Sequence, residues 1–141
     1  MSRSIVVITA GLSSPSSTRL LADQLADATR AAVGGRGESV DIEFVELCEL
    51  AVEMAQTMVS GNRPTPGLES VQAKVVAADG LIAVTPVFTA SYSGLFKTFV
   101  DLLDKDALIA GAEAAQALFR QGRDEAALRL AMEAARLAPG N

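Results

Sequence analysis

The sequence predicts an α/β fold: a doubly wound parallel sheet of strand order 2-1-3 with helices on both faces, followed by an α-helical hairpin. Three observations carry this. Residues 4–10 (SIVVITA) and 81–84 (LIAV) are continuous apolar runs, the pattern of strands inside a parallel sheet. Between them, residues 40–47 (VDIEFVEL) alternate, with Val40, Ile42 and Phe44 on one side and Asp41 and Glu43 on the other, as a half-exposed edge strand does. Helical spacing fills the gaps, so the order is β-α-β-α-β-α. Right-handed crossovers and an edge second strand then give 2-1-3.

Gly11 closes the first strand, and a hydroxyl-rich loop, residues 11–18 (GLSSPSST), follows. The first helix begins near Thr18, capped by Ser17 or Thr18, with Leu21, Leu25, Ala28 and Ala32 as its expected buried stripe and Gly34-Gly35 as its end. A short helix is expected over 51–60 and a loop over 61–67 (GNRPTPG). Leu68, Val71, Val75 and Ala78 then mark a second long helix. Thr85-Pro86 stops the third strand. Leu95, Phe96, Phe99, Val100, Leu102 and Leu103 make a helix over 95–103 that is apolar around most of its circumference, which suits burial or a subunit interface. Residues 111–141 are alanine-rich and read as a helical hairpin, 112–121 and 124–138, turning at Gly122.

Composition removes several function classes. The 141 residues are 50% hydrophobic and 21% charged, enough for a globular domain with a real core. There is no histidine, which excludes Ser-His-Asp and Cys-His catalysis and His-ligated metal, and one cysteine, Cys48, cannot form an internal disulfide or a thiolate cluster. No metal site is expected, and a reducing cytoplasm is the expected compartment. No signal-peptide pattern opens the chain, and no run approaches the ~20 apolar residues of a membrane span. Net charge is −5 and the 12 Lys and Arg are scattered, so neither nucleic acid nor membrane is an expected partner.

Strand order 2-1-3 makes strands one and three neighbours at a topological switch point, where open α/β sheets bind ligands beyond the carboxyl ends of the strands. Two segments lie there, 11–18 and 85–94. The first offers Ser13, Ser14, Ser16, Ser17 and Thr18 at a helix N-terminus, whose free N–H groups and dipole attract an anion. Neither the dinucleotide glycine fingerprint nor the P-loop GK[ST] is present, so a terminal monophosphate fits best. The same residues equally make an ordinary serine-rich turn with an N-cap. In the second segment, Pro86 turns the backbone outward, and N–H groups from Val87 to Thr89 can meet the edge of a flat heterocycle with Phe88 beside its face. The plainer reading is a strand-to-helix loop in which Phe88 and Tyr92 only pack.

The stretch TPVFTASYSGLFKTFVDLL, residues 85–103, resembles the second signature of the NAD(P)H-dependent FMN reductase family, in a form similar to the alkanesulfonate-type reductases that supply reduced flavin to a partner monooxygenase. AGLSSPSSTRLLADQLA, residues 10–26, resembles that family's phosphate loop and first helix, and the likeness runs over about residues 4–109. The resemblance implies a flavodoxin-like fold and an oxidoreductase that transfers a hydride from NAD(P)H to FMN. It implies that Ser13, Ser16, Ser17 and Thr18 hold the FMN phosphate and that Pro86, Val87, Phe88 and Thr89 line the isoalloxazine ring. It implies a homo-oligomer through the 95–103 helix, near whose start Tyr92 stands, and a flavin-dependent monooxygenase as a further partner. No catalytic residue is implied, because nicotinamide and flavin supply the electronics of hydride transfer. Asp101 and Asp104 read as a solvated helix face rather than a carboxylate pair.

Two regions are thus expected: a flavin-binding region over 1–109, without the family's usual fourth and fifth strands, and a helical hairpin over 110–141. The hairpin's GRDEAALRLAMEAARLAPGN resembles the second half of a tetratricopeptide repeat, with Gly122, Ala127, Ala134 and Pro139 at that motif's spacings. A lone repeat cannot bury its own apolar face. A third strand without a fourth also leaves an open edge beside the flavin site. The functions open at this point are reductase, flavin- or phosphate-binding module without turnover, and interaction scaffold.

Overall fold

The computed structural model describes residues 2–107 and 109, and the chain divides into two compact units, Met1–Leu103 and Asp104–Asn141. The tetratricopeptide-like hairpin expected over 110–141 lies outside the described residues.

The first unit is a three-stranded parallel sheet in the order β2-β1-β3. Strand β1 (Ser2–Thr9) pairs along its whole length with β2 (Ser39–Glu46), from Ser2 opposite Ser39 to Thr9 opposite Glu46. On its other side it pairs with β3 (Gly80–Val84), from Ile5 opposite Gly80 to Thr9 opposite Val84. The β-branched run explains the central place of β1: Val6, Val7, Ile8 and Thr9 are all buried, as a strand covered on both faces requires. The alternation of β2 explains its edge place, with Asp41 and Glu43 exposed and Ile42 and Phe44 half-buried.

Helix α1 (Ser17–Gly34) covers one face of the sheet. Its buried stripe is Thr18, Ala22 and Ala26, which corrects the expected Leu21, Leu25, Ala28 and Ala32. Ala22 and Ala26 pack with Val7 and Val84, flanked by Ile5, Ile42, Phe44 and Ile82. The sheet supplies the bulk on this side, so small helix residues allow a close approach, and Leu20, Leu21 and Leu25 are left 63%, 48% and 39% exposed. The N-cap is also corrected: the Ser16 side chain accepts from the Arg19 amide, placing Ser17 and Thr18 inside the first turn.

The other face carries the main core. After β2, a short 3-10 turn (Leu47–Leu50) leads into α2 (Ala51–Ser60), which Gly61 ends in the left-handed conformation. Helix α3 (Pro66–Ala77) starts two residues before the expected Leu68 because Thr65 caps it on the Leu68 amide and Pro66 stands in its first turn. Helix α4 (Gly94–Asp101) follows β3 after a connecting segment. Val6, Ile8 and Val45 of the sheet meet Leu47, Met54, Leu68, Val75, Phe99 and Leu103 there. Phe99 is completely buried and Leu95, Phe96 and Leu102 pack against this cluster, so most of the apolar circumference of α4 is used within the unit while Val100 remains 40% exposed. Strand β3 is less enclosed than its composition suggests: Leu81 and Ala83 are exposed, whereas Ile82 and Val84 face α1. No helix among the described residues is long and apolar enough to cross a membrane.

Candidate functional site

The register of β1 and β3 builds the site. Thr9 pairs with Val84, and the Ala10 amide donates to the Val84 carbonyl at 3.0 Å, so the segments leaving the two strands depart side by side from the carboxyl edge of the sheet. These are the switch-point segments that the sequence singles out.

The first is a tight turn into α1. A Cβ on Gly11 would stand 2.3 Å from Ser16 Oγ and 3.2 Å from Thr18 Cβ, so a side chain there would push the Ser16 hydroxyl out of its cap and crowd Thr18. Ser13, Ser14 and Ser17 are exposed, Ser16 is half-buried and Thr18 is buried at 8% exposure. Ser16 accepts from the Arg19 amide with its oxygen, which leaves the hydroxyl proton free to donate outward. The Leu20 amide is bonded to the Ser16 carbonyl, while the amides of Ser17 and Thr18 have no acceptor among the described residues. The first turn of α1 carries no acidic side chain to repel an anion.

Arg19 does not serve as a free cation here. Its guanidinium binds the Asp23 and Glu46 carboxylates and lies 4.2 Å from the centre of the Phe44 ring. The hydrogen bond that it donates to Asp23 leads in holding it above the ordinary guanidinium value, partial desolvation opposes this, and Glu46 adds to it. The positive character offered to a ligand therefore comes from N–H and O–H dipoles. That donor set fits a monophosphate, and Ser13, Ser16 and Ser17 would hold it with the Ser17 and Thr18 amides.

The second segment is not the open loop expected from the sequence. Val87–Phe88 (β4) and Ser91–Tyr92 (β5) form a small antiparallel hairpin, with Val87 opposite Tyr92 and Phe88 opposite Ser91. Thr89 and Ala90 turn it with φ of 50° and 62°, the doubly left-handed geometry that normally selects Asn-Gly. The backbone of 87–89 is therefore partly engaged in a ladder and a turn rather than an uninterrupted row of free donors. Val87, Phe88 and Tyr92 are 73%, 48% and 50% exposed, presenting an apolar and aromatic rim, and Pro86 is half-buried at its base. Tyr92 meets Phe96 edge-on, ring centres 6.0 Å apart. Such a rim can lie along the face of a flat heterocycle.

Two residues of this segment escaped the sequence reading. Ser93 is 1% exposed and caps α4 by accepting from the Phe96 amide, a role signalled only by a serine two residues before an apolar run. Thr85 accepts from the Ser93 amide at 3.0 Å across the hairpin, and no local pattern announces a bond between residues eight apart. Asp101 is paired with Lys97, whose ammonium it holds above the ordinary lysine value, and Asp104 accepts from the amides of Asp106 and Ala107. No cluster of three or more potential metal ligands occurs among the described residues.

A parallel β2-β1-β3 sheet with a hydroxyl-lined helix N-terminus and an aromatic hairpin at its switch point defines a flavodoxin-like protein. The family model described as NADPH-dependent FMN reductase matches residues 3–133, and the chain belongs to that family. An FMN reductase (NADPH) of Pseudomonas aeruginosa is 32% identical over 107 residues, 74% of this chain and 53% of that protein. An NADH-dependent FMN reductase of Pseudomonas putida is 31% identical over 104 residues, covering 74% and 53%. A solved oxidoreductase structure from Corynebacterium diphtheriae superposes with a TM-score of 0.71 at 48% identity, over 74% of this chain and 57% of that one. The apo form of an NADH:FMN oxidoreductase superposes at 0.60 with 31% identity, over 75% and 52%. The chain spans about half the length of the curated relatives it matches. The names of these relatives give FMN, with NADPH or NADH, as what they act on.

Proposed function

We propose that this chain binds FMN at the carboxyl edge of β1 and β3 and acts as an NAD(P)H-dependent FMN reductase. The observation that carries the reading is the Thr9–Val84 register, which sets the hydroxyl-rich turn and the aromatic hairpin next to each other. Bound flavin supplies the hydride acceptor for a nicotinamide. The chain's own work is binding and orientation: Ser13, Ser16, Ser17 and the first amides of α1 hold the phosphate, Thr18 packs the turn beneath it, and Pro86, Val87, Phe88 and Thr89 border the ring. No acid or base is needed from the protein, in keeping with a sequence that has no histidine. A homo-oligomer, a flavin-dependent monooxygenase that takes up the reduced flavin, and a reducing cytoplasm belong to the same reading.

A second reading, flavin binding without turnover, rests on the same hydroxyl-rich turn and aromatic hairpin, which offer groups to hold a flavin. Turnover asks in addition that nicotinamide stack on the flavin. One experiment separates the two. FMN is titrated into the protein with its fluorescence followed, and NAD(P)H oxidation is then measured with FMN present. Saturable quenching that weakens in Ser17→Ala, together with flavin-dependent oxidation, supports the reductase. Quenching without oxidation supports the second reading, and a folded protein that leaves FMN fluorescence unchanged overturns both.

A further inference from the structure

The hairpin that borders the ring has little to hold it in place. Its ladder is two residues long on each side, and an isolated two-stranded hairpin is marginal in water. Its turn places Thr89, a β-branched residue, and Ala90 in the left-handed region, where L-residues are strained. Its outer side chains are largely exposed, so burial contributes little. Something else must fix its stem.

The Thr85 hydroxyl is placed to do so. It donates to the Pro86 carbonyl at 3.1 Å and accepts from the Ser93 amide at 3.0 Å, so its proton and a lone pair are committed at opposite ends of one segment. The two ends are themselves anchored. Thr85 directly follows β3, and Ser93 is buried and tied into α4 through its side chain to the Phe96 amide and its carbonyl to the Lys97 amide. Without Thr85 Oγ1, the Ser93 amide would be an orphan donor shut away from water.

We infer that Thr85 is a positioning residue: its hydroxyl clasps the entrance of the 85–93 hairpin to its exit and thereby fixes where Val87, Phe88 and Thr89 stand against the flavin ring. The positioning role rests on the flavin reading above, whereas the clasp can be tested without flavin. Tyr92 lies in the hairpin and is the chain's single tyrosine, in a sequence without tryptophan, so intrinsic tyrosine emission reports this segment.

The test compares the whole chain with Thr85→Val, which keeps the shape and removes the hydroxyl, and Thr85→Ser, which keeps the hydroxyl. Thr85→Ala replaces the valine variant if that one does not fold. The clasp predicts a lower Tyr92 anisotropy in Thr85→Val and a value near the parent's in Thr85→Ser, with no flavin present. Positioning predicts FMN affinity weakened about tenfold in Thr85→Val, with reduced quenching at saturation, and restored to within about twofold in Thr85→Ser. Unchanged anisotropy in Thr85→Val overturns the clasp. Lower anisotropy with unaltered FMN affinity and quenching overturns the positioning role, as does a serine variant that fails like the valine one. A parent protein that binds no FMN instead overturns the functional reading, and anisotropy alone then decides the clasp.

Discussion

The two segments at the switch point reach order by opposite means. The turn from β1 into α1 is held by close packing: Gly11, Ser16 and Thr18 are so near one another that a Cβ on Gly11 would displace the Ser16 hydroxyl, and an 18-residue helix begins at once. The hairpin from β3 to α4 is held by a few directed bonds around a strained two-residue turn. The difference matches the two tasks. A phosphate is small and compact, and its donors must stand at fixed distances. A ring system is broad with an apolar face, and an exposed rim of Val87, Phe88 and Tyr92 can lie along it. Close packing orders the first segment, and the Thr85 clasp orders the second.

Gly11→Ala is the most direct way to break this contrast. The new methyl meets Ser16 Oγ and Thr18 Cβ, and overpacking of this kind costs about 1–3 kcal/mol. Urea denaturation should show that loss, and FMN binding should fall by more than tenfold. A variant with parental stability and affinity would mean that the turn is looser than its geometry. Ser16→Ala should cost about 1 kcal/mol of stability as a lost N-cap and weaken FMN binding as a lost donor. In the Gly11→Ala background the added cost of Ser16→Ala should shrink, because the side chain that clashes is the one removed. Full additivity would show the two residues to be independent.

Ala90→Gly probes the other segment. Glycine adopts positive φ without the ~1 kcal/mol or more that an L-residue pays there, so the variant should be unchanged or stabilised by up to about 1 kcal/mol despite its larger unfolded-state entropy. A clear fall in melting temperature would mean the hairpin is not turned at Thr89–Ala90. The smallest effect is expected at Lys97. Its pair with Asp101 is exposed and spans one helical turn, so Lys97→Met should shift the melting temperature very little and leave FMN binding intact.

The same contrast explains what could be read in advance. The sheet order was legible because it follows from patterns inside each strand: SIVVITA can only be central, and VDIEFVEL can only be an edge. The site's location was legible because it follows from that order. The buried face of α1 does not follow leucine spacing, because Val7 and Val84 already fill the space and leave room only for Ala22 and Ala26. The cap was displaced by one residue because Ser16, Ser17 and Thr18 are chemically interchangeable at that position. The hairpin was illegible because Thr89-Ala90 lacks the Asn-Gly signal for its turn, and because the bond that closes it joins residues with no local relation. The expected tetratricopeptide-like tail, over 110–141, lies beyond the described residues.

The parallel register also sets the order of events in folding. Ser4 exchanges bonds with Asp79, 75 positions further along, so the central strand is synthesised before both of its neighbours and is completed only when β3 arrives. Until β3 arrives, β1 presents an unpaired edge of Val6, Val7 and Ile8, with only β2 able to shield the other side. Nonlocal pairing of this kind slows folding and lengthens the time that sticky intermediates persist. A nascent chain stalled before Gly80 would therefore be the form most in need of a chaperone.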